Sequence, residues 1–178
     1  MRPTRVLVWL SVCILVFASA LAYPGLPAEI PQHISSAGKS TGFVPRSPLA
    51  WGFPLVIAVI GIAFVDLLTA RIPRRVELFN FPGKEQLLKL PEEYRTETVR
   101  LMQRFMDYVN LQLVLTFAVV QWMLWRGAHG ARTQTETIAL LVLSPALVVF
   151  AGLYIQKIQN AVDDAQRRYD SRRNPLKS

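Results

Sequence analysis

Among the long apolar stretches of this chain, one acidic side chain stands alone. Asp66 lies within Pro48–Ala70, and no other Asp or Glu falls inside such a stretch. An ionised carboxylate in hydrocarbon is costly and is held by protein, water or a cation. Asp66 therefore reads as a proton or cation site, or as a boundary residue satisfied by Arg71, Arg74 or interfacial water. The second reading is favoured, because Asp66 sits about one helical turn from the end of its stretch. A second polar set lies further on. At 100° per residue, Asp107, Asn110, Phe117 and Gln121 share a helical sector of about 80°. They form either a polar path or a surface for hydrogen bonds between helices, and the structural role is the favoured one.

His33 and His129 offer the remaining titratable chemistry near neutral pH. A shared metal would need further ligands, and Glu29 and Glu136 are the only acids in the same loops. They read as loop histidines bonded to backbone; no metal and no cofactor are expected. Cys13 is the single cysteine, so no internal disulfide forms. No phosphate-binding glycine loop and no nucleophile spacing are present, which argues against an enzyme.

The elements that position these residues are four apolar stretches: Val6–Tyr23, Pro48–Ala70, Tyr108–Trp125 and Thr137–Gln156. Roughly 20 helical residues cross a hydrocarbon core about 30 Å thick. The chain is 52% hydrophobic and 18% charged, with a mean hydropathy of +0.28, which also favours a membrane. Threaded with the N-terminus in the cytoplasm, the stretches leave 16 of the 20 Lys and Arg inside and four outside. That is the positive-inside pattern. It explains the net charge of +8 without nucleic acid, by attraction to the anionic lipid bilayer. The expected fold is all-α: four transmembrane helices, both termini cytoplasmic, one membrane domain. Arg2, Arg5 and the first stretch also resemble a secretory signal, but an uncleaved anchor is expected, since the run is long.

The outer loop, residues 24–47, is rich in Pro, Gly and Ser and is expected to form turns. The inner segment, residues 71–107, opens with Pro73, which should end or kink the preceding helix. Val76–Phe81 reads as a short strand or an interfacial piece, and Pro82-Gly83 as a turn. Pro91 suits the start of a helix with Glu92 and Glu93 in its first turn, running unbroken into the third span. Pro145 should bend the fourth span. A helical stripe through Ile158 and Val162 extends into the cytoplasm, and Ser171–Ser178 should fray. Trp9, Trp51, Trp122, Trp125, Tyr23 and Tyr108 lie near span ends and read as head-group anchors.

The outer loop reads Leu26-Pro27-Ala28-Glu29-Ile30-Pro31-Gln32-His33, followed by Gly38 and Gly42. This resembles the LP-x-x-IP-x-H…G motif of the SdpI-like family of bacterial integral membrane proteins. Inside, Asn80, Pro82, Lys84, Pro91, Glu92 and Arg95 resemble a second family segment, with Gly83 in place of its usual Asn. The resemblance implies a multi-pass protein of the bacterial cytoplasmic membrane. It further implies an immunity or signalling role, with a secreted peptide or membrane protein bound at Pro27, Ile30, Pro31, His33, Gly38 and Gly42. The alternative is a small transporter or accessory subunit that uses Asp66 and the Asp107–Gln121 face. A wet cavity reaching Asp66 would favour it.

Overall fold

Proline and serine set where the helices begin. Ser47 Oγ accepts the Ala50 amide at 3.1 Å and Pro48 takes the first helical position, where its missing N–H costs nothing. Pro3 opens the first helix in the same way. The computed structural model describes residues 2–173. In order, its elements are α1 (Pro3–Ala22), β1 (Glu29–Ile34), β2 (Ser40–Pro45), α2 (Pro48–Arg71), α3 (Lys84–Lys89), α4 (Glu92–Ala128) and α5 (Gln134–Arg173). The chain is an all-α polytopic membrane protein: α1, α2, α4 and α5 are each long and apolar enough to cross a membrane. Their outward faces carry large apolar side chains such as Leu10, Ile14, Phe64 and Val148, as a lipid solvent requires.

Helix α4 is the spine. Its 37 residues span about 55 Å, nearly twice the hydrocarbon thickness, so its first turns project beyond the bilayer. It packs against α1, α2, α5 and β1. Three clusters follow its length. At the basic end, Ile72, Val76, Leu87, Leu90, Met102 and Val162 bury the inner segment between α4 and α5. In the middle, Val8, Val12, Ala58, Ile62 and Val114 join α1, α2 and α4. At the other end, Leu26, Ile30 and Trp51 close the bundle under the hairpin.

The outer loop departs from expectation. Residues 29–45 form an antiparallel hairpin, with Ile30 opposite Val44 and His33 opposite Thr41. Proline weakens a ladder only where its N–H would be needed, and a two-stranded ribbon has an outer edge that tolerates it. The hairpin tip is fixed to α5. Gly38 has φ +70, and its carbonyl accepts the Thr133 amide at 3.0 Å. A Cβ there would stand 2.7 Å from Gln134 Cα. Gly38→Ala is expected to cost about 2 kcal/mol, from left-handed strain plus backbone collision. Thermal or denaturant unfolding in detergent measures it, and an unchanged midpoint would show the tip is not docked.

The inner segment is also more ordered than its reading. Val76–Leu78 is a single 3-10 turn rather than a strand. Helix α2 ends at Arg71, two residues before Pro73, and α4 begins after Pro91 and runs unbroken into the third span. Helix α5 continues through Pro145 and remains helical to Arg173. The fraying expected from Ser171 therefore does not extend to 171–173, and residues 174–178 lie outside those described.

Candidate functional site

The two family-like segments sit at opposite ends of α4. Pro31 packs near Gly127, whereas Arg95 lies in the second turn. The separation along the helix is roughly 50 Å. They do not form one site.

The outer segment makes a built cleft. Ile30 and Pro31 are buried, Pro27 is half-buried, and His33 and Gly42 are exposed. Between the hairpin and the first turns of α2 lies a cavity of about 550 Å³, lined by Ile30, Pro31, His33, Val44, Leu49 and Phe53 among others. Its floor is apolar and its rim carries His33 and Gln32. Leu49 and Phe53, four apart on α2, are 76% and 58% exposed and present an open apolar wall. These α2 residues lie outside the loop motif and escape the sequence reading, although their i,i+4 spacing is the signal that finds them.

The hairpin is held rigidly at its neck. Arg46 donates to the carbonyls of Leu26 and Pro24 and stacks over the Tyr23 ring at 5.5 Å. The Arg46 amide bonds to Ala28 O at 2.8 Å. His129 bridges the neck to α4: its Nδ1 and Nε2 lie 2.8 Å from Trp125 O and 3.2 Å from Gly25 O. Trp51 is not a head-group anchor. It is 4% exposed and donates Nε1–H to Ser19 O at 2.9 Å. Trp122 fits the anchor reading better: it is exposed and stacks on Trp125.

At the other end of the span, the intramembrane carboxylates have partners that lie far away in sequence. Arg5 Nη2 bonds Asp66 Oδ2 at 2.7 Å, so neither Arg71 nor Arg74 is its partner. Arg2 places Nη2 3.0 Å from Asp107 Oδ1 and Nε 2.9 Å from Oδ2, and Thr4 Oγ1 donates to Oδ2 at 2.6 Å. Helix α1 has no acid in its own first turn. The two carboxylates from α2 and α4 therefore also face the positive end of its dipole. Asn110 and Gln121 are buried on the same face of α4, and Gln121 Nε2 donates to Trp51 O at 3.2 Å. One carbonyl oxygen of each, Asn110 Oδ1 and Gln121 Oε1, has no protein partner.

In the inner segment, Arg95 has a structural role. Arg95 Nε and Nη2 donate to Leu90 O and Leu88 O at 2.7 and 2.8 Å. They satisfy carbonyls that the short helix α3 leaves open. Gly83, with φ +77, starts that helix, and a Cβ there would meet Val162 of α5 at 3.0 Å. Lys84 is half-buried at its first turn, while Asn80, Pro82, Pro91 and Glu92 are exposed. Glu92 and Arg95 border a shallow cleft with Arg74 and Glu77.

A family model described as a domain of unknown function, DUF1648, matches residues 10–58. The matched segment runs from α1 through the hairpin into α2 and contains the whole outer motif. No curated protein matches the chain, and no solved structure matches it.

Proposed function

We propose that this is a non-enzymatic integral membrane protein of the SdpI-like kind. It sits in the bacterial cytoplasmic membrane with both termini inside. Its outer cleft binds an external peptide or a membrane partner, in an immunity or signalling role. The carrying observation is the preformed cleft of about 550 Å³ between the motif-bearing hairpin and α2. A rigid site loses little ordering entropy on binding. The exposed strand β2 supports the reading, because a free strand edge accepts an extended peptide by main-chain pairing. Leu49 and Phe53 supply apolar contacts and His33 a polar one.

Pro31 is a poor probe, since it is buried against α4. His33 is exposed, so His33→Ala should not lower stability. His33→Ala and Phe53→Ala together should weaken partner crosslinking at the cleft, or protection against a secreted peptide, by about ten-fold or more. Abundance in the membrane should be unchanged. Full crosslinking or protection at normal abundance would refute the cleft as the binding site.

A further inference from the structure

Helices α4 and α5 leave a basic groove at their charged end. A cleft of about 630 Å³ is lined by Tyr94, Leu101, Arg100, Arg104, Arg168 and Arg172, and Glu93 and Glu97 stand on the same face of α4 as Arg100 and Arg104, further from the membrane. A second cleft of about 430 Å³ shares Arg100 and Arg104 and continues to Arg2, Tyr108 and Tyr154. The two clefts meet at the Arg100–Arg104 pair, which lines both.

The charges in these clefts are unequally satisfied. Arg168 pairs with Glu97 at 2.9 Å. Arg172 lies over the Tyr94 ring at 5.7 Å, and Arg2 is held by Asp107. Among the described residues, neither Arg100 nor Arg104 has an ion-pair partner. The nearest helical acids are already engaged: Glu97, three residues before Arg100, by Arg168, and Asp107, three after Arg104, by Arg2 and Thr4. Two like charges four residues apart on a helix repel, and an anion between them relieves that.

Depth along the helix bears on what that anion could be. Tyr108 and Tyr154 pack with Phe105 and Phe150, mostly tilted or edge-on, at ring separations of 4.9–6.3 Å. Such a belt marks the edge of the hydrocarbon. Arg104 is one turn beyond Tyr108 and Arg100 two turns, about 6 and 12 Å further out. The head-group layer is about 5–8 Å thick on each side, so Arg104 stands within it and Arg100 beyond it, where a long side chain can reach back. Lys157 of α5 stands at the same level, 5.4 Å from the Tyr154 ring centre. The aromatic floor below can receive an acyl chain, while the arginines above can hold a phosphate by bidentate hydrogen bonds.

We propose that this groove is a binding site for the phosphate head group of an anionic phospholipid, centred on Arg100 and Arg104. It lies at the other end of the bundle from the hairpin cleft and stands whatever that cleft binds. Purified full-length protein in neutral detergent would be titrated with phosphatidylglycerol, phosphatidylcholine and inorganic phosphate, with bound lipid read by native mass spectrometry. The wild type should prefer phosphatidylglycerol over phosphatidylcholine by about ten-fold or more. Arg100→Gln with Arg104→Gln should lose about ten- to thirty-fold in phosphatidylglycerol binding. Arg100→Lys with Arg104→Lys keeps the charge but not the bidentate geometry and should fall between wild type and the glutamine pair. Arg167→Gln with Arg173→Gln, exposed but outside the groove, should bind as wild type does. The glutamine pair removes no ion pair, so its unfolding midpoint should match wild type, which keeps the comparison clean. Undiminished binding by the glutamine pair would overturn the site. Inorganic phosphate bound as tightly as the lipid would overturn the lipid assignment, and equal loss in the Arg167/Arg173 variant would reduce it to bulk charge.

Discussion

Trp51→Ala is expected to lower stability by about 3–5 kcal/mol, the range for removing a buried large aromatic side chain. Trp51 packs with Leu26 and Ile30, against Tyr23, Leu124 and Trp125. Its indole N–H reaches Ser19 O of α1, and its carbonyl accepts from Gln121 of α4. One residue of α2 therefore ties three spans and supports the hairpin. Trp51→Phe keeps most of the ring and loses one hydrogen bond, while Ser19 O keeps the Tyr23 amide, so about 0.5–1.5 kcal/mol is expected. Denaturant unfolding in detergent measures both. Proteolysis at Lys39 and Arg46 should accelerate in Trp51→Ala, because the hairpin loses its floor. A loss below about 1 kcal/mol for the alanine variant would restore the interfacial-anchor reading.

That contrast shows what was legible in the residues alone. The four spans were, because apolar length is a local sum and needs no knowledge of neighbours. The α4 face of Asp107, Asn110, Phe117 and Gln121 was also legible, since helical periodicity alone brings them together; the three polar members are buried. So was the start of α4 after Pro91. Trp51 was misread because a tryptophan near a span end faces lipid or protein according to what packs over it, and here the hairpin does. The hairpin itself was hidden by Pro31, Gly42 and Pro45, which argue against strands when read singly. Its signal was two six-residue segments separated by a short Gly-containing link. The ion pairs were out of reach. Arg2 and Arg5 had been counted as orientation signals, and their partners lie 105 and 61 residues away.

The two ends of α4 are locked by different means, which bears on where motion is affordable. The hairpin end is closed by Trp51, Arg46 and the Gly38–Thr133 bond. The basic end is closed by α3 and the Arg95 clamp, which gives the family-like segment there a structural role. Between them, the aromatic belt joins α5 to α4, and none of the most apolar 18-residue stretch of α5 is buried. A partner within the bilayer would meet this helix first, whereas a partner from outside meets the hairpin cleft.

Asp107→Asn is expected to cost about 2–3 kcal/mol. Removing one member of a buried ion pair typically costs 3–5 kcal/mol, because the other charge is stranded. Asp107 is 2% exposed by side chain but Arg2 is 25% exposed, so solvent reduces the penalty. Arg2→Gln with Asp107→Asn should cost less than Asp107→Asn alone, since no charge is then left unpaired. The same cycle on Arg5 and Asp66 should give a smaller coupling, as Arg5 is 36% exposed. Equilibrium unfolding in detergent provides all of these values. The cycle also separates the two roles open to Asp66. A residue that clips α1 to the bundle lowers the unfolding midpoint when replaced by Asn, and Arg5→Gln restores much of it. A residue that couples ion movement abolishes cation-dependent flux in vesicles while the midpoint holds. The partnering of both carboxylates by α1 favours the clip, and a flux lost at unchanged stability would reverse that conclusion.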